Sequence, residues 1–168
     1  MIVEDLHNAI AALLTTDATF TAALVASVAS GGVGLASVPA KVLSNRPLAE
    51  IQQMHADLLP CWIMEPINAA AIASDGSDFG VTIGAGAQEF RHRIVVSLVW
   101  REQDRDTAFR QRLRIPELLV QLFLRNPTAG LDYCTGCLIT GSEPDQGGQH
   151  PFQLLLAEIT GDVVINRS

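Results

Sequence analysis

A chain of 168 residues is one domain by size, and 48% hydrophobic against 17% charged residues is the balance of a globular protein with its own core, which excludes general disorder. A formal charge of −7, with only 11 Lys and Arg spread along the chain, argues against binding nucleic-acid phosphates, which takes clustered cations. Three cysteines make no disulfide framework and Met1-Ile2-Val3-Glu4-Asp5 lacks the basic start of a signal peptide, so a reducing cytoplasm is the expected place of synthesis.

In chain order, Val3, Leu6, Ile10, Leu13 and Leu14 recur at helical spacing and predict an amphipathic helix that stops near Thr15-Thr16. Thr16 or Asp17 can cap a second helix with Phe20, Leu24 and Val28 as its stripe, and Ser30-Gly31-Gly32-Val33-Gly34 ends it in a flexible connector. The uncharged run from Ala18 to Ala40 is broken by Gly31, Gly32, Gly34 and Pro39, which argues against a membrane span. A short strand is expected over Val38 to Leu43. A brief helix follows from Ser44 or Asn45, with Leu48, Ile51 and Met54 on one side. Cys61 to Glu65, an apolar run between prolines, reads as a second short strand. Residues 66 to 87 hold mostly Ala, Gly, Ser and Asp, too little to build a core, and read as an extended arm in which Phe79 to Ile83 can pair as a strand.

Gln88 to Trp100 carries the strongest strand signal. Phe90, His92, Ile94, Val96, Leu98 and Trp100 fall on one face, and Glu89, Arg91, Arg93, Val95, Ser97 and Val99 on the other. A helix capped by Asp104 or Asp106 follows, with Phe109, Leu113, Leu119, Leu122 and Phe123 as its apolar stripe and a kink or break expected near 112 to 116 because of Pro116. Asn126-Pro127 ends it. Leu131 to Thr140 and Phe152 to Ile165 read as two closing strands joined by a turn over 141 to 148, with a bulge or a turn at Gly161-Asp162.

No nucleophile, base and orienting group come together from spacing, so no catalytic residue, cofactor site or metal site is assigned. Cys134-Thr-Gly-Cys137 is a lone CxxC whose two members point to opposite faces of a regular strand, and a structural zinc needs four ligands. Gly84-Ala-Gly86 precedes a strand, where a dinucleotide site needs a helix, and 30 to 34 lacks the Gly-Lys-Ser/Thr of a phosphate loop. Of His7, His55, His92 and His150, His92 lies on the apolar face of the long strand and reads as a core or interface histidine. Arg91, Arg93, Arg101, Arg105, Arg110, Arg112 and Arg114 are the one basic concentration, balanced in part by Glu89, Glu102, Asp104 and Asp106. It reads as an ion-paired face or as a contact surface for an acidic partner.

The order of elements, with LPCWIME at 59 to 65, the arm, the strand FRHRIVVSLVWREQD, an amphipathic helix and two closing strands, resembles the tail terminator (tail completion) proteins of tailed bacteriophages. The resemblance implies a single α+β domain over 1 to 168, with a mainly antiparallel sheet of about four strands, helices on one face and a flexible arm at about 66 to 87. It implies a structural protein and not an enzyme: a homo-oligomer, in the family a hexameric ring, that caps the tail tube, stops its polymerisation and presents the head–tail joining surface. The partners implied are the tail tube protein and a head-completion or connector protein, and the location is the head-proximal end of the virion tail after assembly in the host cytoplasm. Six copies of a −7 chain carry roughly −42 formal charges, so DNA would pass the lumen without sticking. Candidate contact residues are Phe79, Ile83, Arg91, Arg93, Arg105 and Arg110. Another connector, adaptor or baseplate protein shares this acidic, site-free composition, and a small-molecule-binding domain with its pocket under the arm is the third reading.

Overall fold

The computed structural model describes residues 2–44, 58–66, 82–83, 87–144 and 151–166. Helix α1, Ile2–Thr16, buries Leu6, Ile10 and Leu14 along one side. Asp17 interrupts it, accepting the Phe20 N–H on Oδ1 at 2.8 Å, and α2, Ala18–Val25, leaves at a 50° bend with Phe20 and Leu24 buried. Val28, expected in the stripe of α2, falls instead in a 3-10 turn, Val28–Ser30. The glycine segment behind it is a packed loop and not a loose connector. Val33 and Leu35 are buried, their N–H groups donate to Ala23 and Leu24 carbonyls at 3.0 and 2.9 Å, and Gly31 takes φ +88°, a conformation that needs no Cβ.

The strands are β1 (Val42–Ser44), β2 (Cys61–Pro66), β3 (Thr82–Ile83), β4 (Ala87–Arg101), β5 (Cys134–Pro144) and β6 (Phe152–Asn166). Helix α3, Arg105–Arg125, connects β4 to β5. The sheet order is β1-β2-β4-β6-β5, with β1 parallel to β2 and every other pairing antiparallel; β3 pairs with the first residues of β4 on the edge that β2 occupies further along. The class is α+β and mostly antiparallel, as expected, with five strands in the main path where about four were expected. The long strand predicted from its period-2 pattern lies inside the sheet, and all fifteen residues of β4 pair with β6.

Alternation along β4 divides the protein into layers. Ile94, Val96, Leu98 and Trp100 face a core shared with Trp62 and Met64 of β2 and with Leu155, Ala157, Ile159 and Val163 of β6, and the three described helices cover this face. Each large apolar side chain fully buried here contributes roughly 1.5–3 kcal/mol of transfer free energy. Trp62 stacks on Phe20 of α2 with ring centroids 6.1 Å apart, which ties the helical layer to the sheet. The opposite face is only partly apolar, with Cys61, Ile63 and Val99 forming a smaller cluster.

Several expectations need correction. Of the kink or break expected at Pro116, a break does not occur: α3 continues through it, because burial of Ile115, Leu119, Leu122 and Phe123 on one side outweighs one lost backbone hydrogen bond. Phe109 and Leu113 are not in its core stripe: they are 56% and 60% exposed, while Ala108 and Gln111 take the inward positions. No bulge occurs at Gly161. The two irregularities lie on the facing strand, at Thr135 and Thr140 of β5, and Gly161 instead makes room for Leu6, whose Cδ2 would stand 2.7 Å from a Cβ there. The first bulge also turns both cysteines inward, so Cys134 and Cys137 share the core and do not point to opposite faces. The helix expected after Ser44, most of the 66 to 87 arm and residues 145–150 of the last turn lie outside the described residues.

Candidate assembly surfaces

The open face of the sheet carries a ladder of ion pairs. Arg91 stands directly opposite Asp162 in the β4–β6 register and binds it through two nitrogens, Nε at 2.8 Å and Nη2 at 3.0 Å. Arg93 reaches diagonally past Thr160 to Glu158, at 2.9 Å and 2.7 Å. Both are parallel, fork-on-carboxylate contacts, the strongest geometry open to a surface pair. Thr140 of β5 donates to Oε1 of Glu158 at 2.9 Å, extending the ladder to a third strand. The Arg93 hydrogen bonds, above all, and then Thr140 hold the Glu158 carboxyl below the usual glutamate range. Beside this ladder a shallow cavity of about 360 Å³ is lined by Val95, Leu156, Glu158 and Gly141 to Glu143.

The helical side is different. Asp104 caps α3, accepting the Thr107 N–H at 2.9 Å and the Thr107 hydroxyl at 2.6 Å. Arg114 reaches back to the carbonyls of Val28 and Gly32, and Arg125 pairs with Asp17 at 3.2 Å, so these two arginines fasten α3 to the α2 region. Outward, Phe109, Leu113, Val120 and Leu124 remain 56%, 60%, 43% and 75% exposed. Their spacing of four, seven and four residues places them on one helical face. A second cavity, of about 480 Å³, lies where Gly34 to Ala36, Leu59-Pro60 and Trp100 to Gln103 meet α3. Gln111 at its wall is 1% exposed and fully engaged: it accepts from Trp100 Nε1 at 2.7 Å and donates to Glu102 at 3.2 Å and the Gly34 carbonyl at 3.3 Å. Both amide N–H donors are thereby spent within the protein.

Burial pushes both CxxC thiols up, Cys137 to about 12, with the neighbouring Cys134 and Asp162 adding to the effect. Thiols that stay protonated are poor nucleophiles and poor metal ligands. Among the described residues no three of His, Cys, Asp and Glu come together as a ligand set. His92 lies half-buried on the helix-covered face; desolvation lowers its pKa, and its buried Nε2 has no hydrogen-bond partner among the described residues. No described helix is by itself long and apolar enough to cross a membrane.

Of the residues expected to contact partners, Arg91 and Arg93 come together on the open sheet face, each bound to a carboxylate. Arg105 and Arg110 are exposed on α3, in the layer that covers the other face, so the four do not make one basic surface. Ile83 sits on β3 opposite Ala87, and Phe79 lies outside the described residues. The outward stripe of α3 was missed because Phe109 and Leu113 are as apolar as its core residues, while Gln111 on the inward side looks like a surface residue. The usable signal is Val120 and Leu124, which continue the Phe109–Leu113 face and cannot share one side with Ile115 and Leu122.

No protein-family model matches the chain, and no curated protein matches it. Among solved structures, a chain in the virion of a native gene transfer agent (GTA) particle has a similar fold, with a TM-score of 0.50 at 16% sequence identity over 95% of this chain and 95% of that one. At this identity the similarity is one of fold.

Proposed function

We propose that this chain is a structural subunit of a phage-like virion, without catalytic activity, and that it acts as the tail terminator: a ring that caps the tail tube, ends its growth and offers the head-joining surface. The observation that carries the reading is the fold shared end to end with a chain of a gene transfer agent virion. The order of elements that resembles tail terminators, from the LPCWIME strand through the long strand and α3 to the closing hairpin, supports the finer assignment. A tube of identical stacked rings keeps offering the same upper surface, and growth stops when a ring arrives whose lower face fits the tube and whose upper face does not. Tail tube protein below and a connector protein above are the partners of such a ring, with DNA passing through its acidic lumen.

Deletion of the gene in a particle-producing host tests this. The expected result is overlong tails that do not join DNA-filled heads, with capsids and packaging normal and wild-type length restored by complementation. Tails of normal length attached to heads overturn the terminator reading, and particles that lack the protein altogether overturn the virion reading.

A further inference from the structure

The outward face of α3 is built like half of an interface. Phe109, Leu113, Val120 and Leu124 leave on the order of 400 Å² of apolar surface in water, the size at which the largest patch of a monomer is commonly a binding site. From Phe109 to Leu124 the stripe runs about 22 Å at the α-helical rise. On the helical wheel Arg105 and Arg112 line one margin of it, and Arg110 lies beside Glu117 on the other.

Charge indicates what covers it. Five arginines against Asp106 and Glu117 make α3 +3; Arg114 and Arg125 are turned to the α2 region, so its outward side carries Arg105, Arg110 and Arg112 against the two carboxylates, while the rest of a −7 chain carries −10. Every copy of the chain thus presents both a cation-edged apolar helix and an acidic body to receive it. Within that body α1 is the matching element. It contains no Lys or Arg, and Glu4 and Asp5 stand exposed on its first turns. Asn8 and Ala12 continue its outer side with small side chains, against which bulky ones can pack closely.

We propose that the Phe109–Leu124 stripe of one copy docks on the outer face of α1 in a second copy. Because the two surfaces differ, the contact is head to tail and each copy keeps one of each for the next, the arrangement from which a ring forms when the rotation between copies closes. This gives the ring reading above its interface, and rests on that reading for its biological setting.

The test uses purified full-length chains in solution. Wild type is expected to sediment as an oligomer, and Leu113→Asp with Val120→Asp, at positions already half in water, to reduce it to the 18.0 kDa monomer with its thermal transition retained. Asn8→Arg with Ala12→Arg on α1 is expected to do the same. Mixing the two monomeric variants is the decisive arm. One still carries an intact α1 face and the other an intact stripe, so they must form a one-to-one pair that grows no further. A monomeric wild type, an oligomer indifferent to the α3 changes, or a mixture that stays monomeric overturns the proposal. None of these outcomes bears on tail length or on presence in the particle, which test the virion reading separately.

Discussion

At the scale of single residues, Glu158 is a group whose ionisation contributes to the stability of the fold. Its carboxyl is held below the ordinary glutamate value of 4.5, first by Arg93 and then by Thr140. The folded form therefore binds fewer protons than the unfolded chain in the range between the two values. The resulting stability is complete above the unfolded value and is lost as pH falls through the folded one. With Arg93 39% exposed, screening limits the contribution to about 1 kcal/mol or less. Glu158→Gln is expected to lower stability by that amount at neutral pH and to flatten the acid limb of the profile, read from urea unfolding midpoints between neutral pH and the acid transition. A steeper acid limb in the variant would refute it. The same geometry governs charge reversal at Arg91 and Arg93. Glutamates at both positions would stand beside Asp162 and Glu158, so the substitution strains the sheet before it reports on any partner.

At the scale of elements, α3 shows how far pattern reading goes. A 2.0 period in β4 is plain, since one face holds Ile94, Val96, Leu98 and Trp100, all buried. Around α3 apolar residues occupy two sides, and periodicity alone does not say which side meets the sheet. That choice is made by the partners: Gln111 is drawn inward by Trp100 and Glu102, and Arg114 by two backbone carbonyls, neither of which the local sequence displays. The same competition explains Pro116. The sequence correctly marks a missing backbone donor, but tertiary burial on both sides of it keeps the helix whole. Pro116→Ala restores the bond to the Arg112 carbonyl and is expected to raise stability by about 1–3 kcal/mol, measured as a higher denaturation midpoint at unchanged m-value. A lower midpoint would show that the ring is needed for packing. That Cys134 and Cys137 share one face was not legible, because a one-residue bulge in β5 is a property of its pairing with β6 and leaves no local mark.

At the scale of the whole molecule, the order β4-β6-β5 means that a strand later in the chain lies between two earlier ones. Among the described residues β5 pairs with the sheet only through β6, and β4 has β6 along its entire length. Removal of residues 152–166 is therefore expected to abolish cooperative unfolding, not merely to lower its midpoint, as a far-UV circular dichroism melt of the shortened chain would show. A sharp transition in that chain would mean that the helical layer and β2 with β4 fold alone. The topology also sets a time order. Until β6 arrives, some fifty residues or more after β4 leaves off, two long strands stand with open edges, the condition in which chains associate wrongly and are degraded. An interrupted polypeptide thus has no near-native state in which to linger. The surface of α3 forms beside β5, whose place depends on β6, so a copy with that surface in its final position is one whose chain has been read through to that strand. Pairing of β6 and presentation of the finished α3 surface become, in this fold, one physical event.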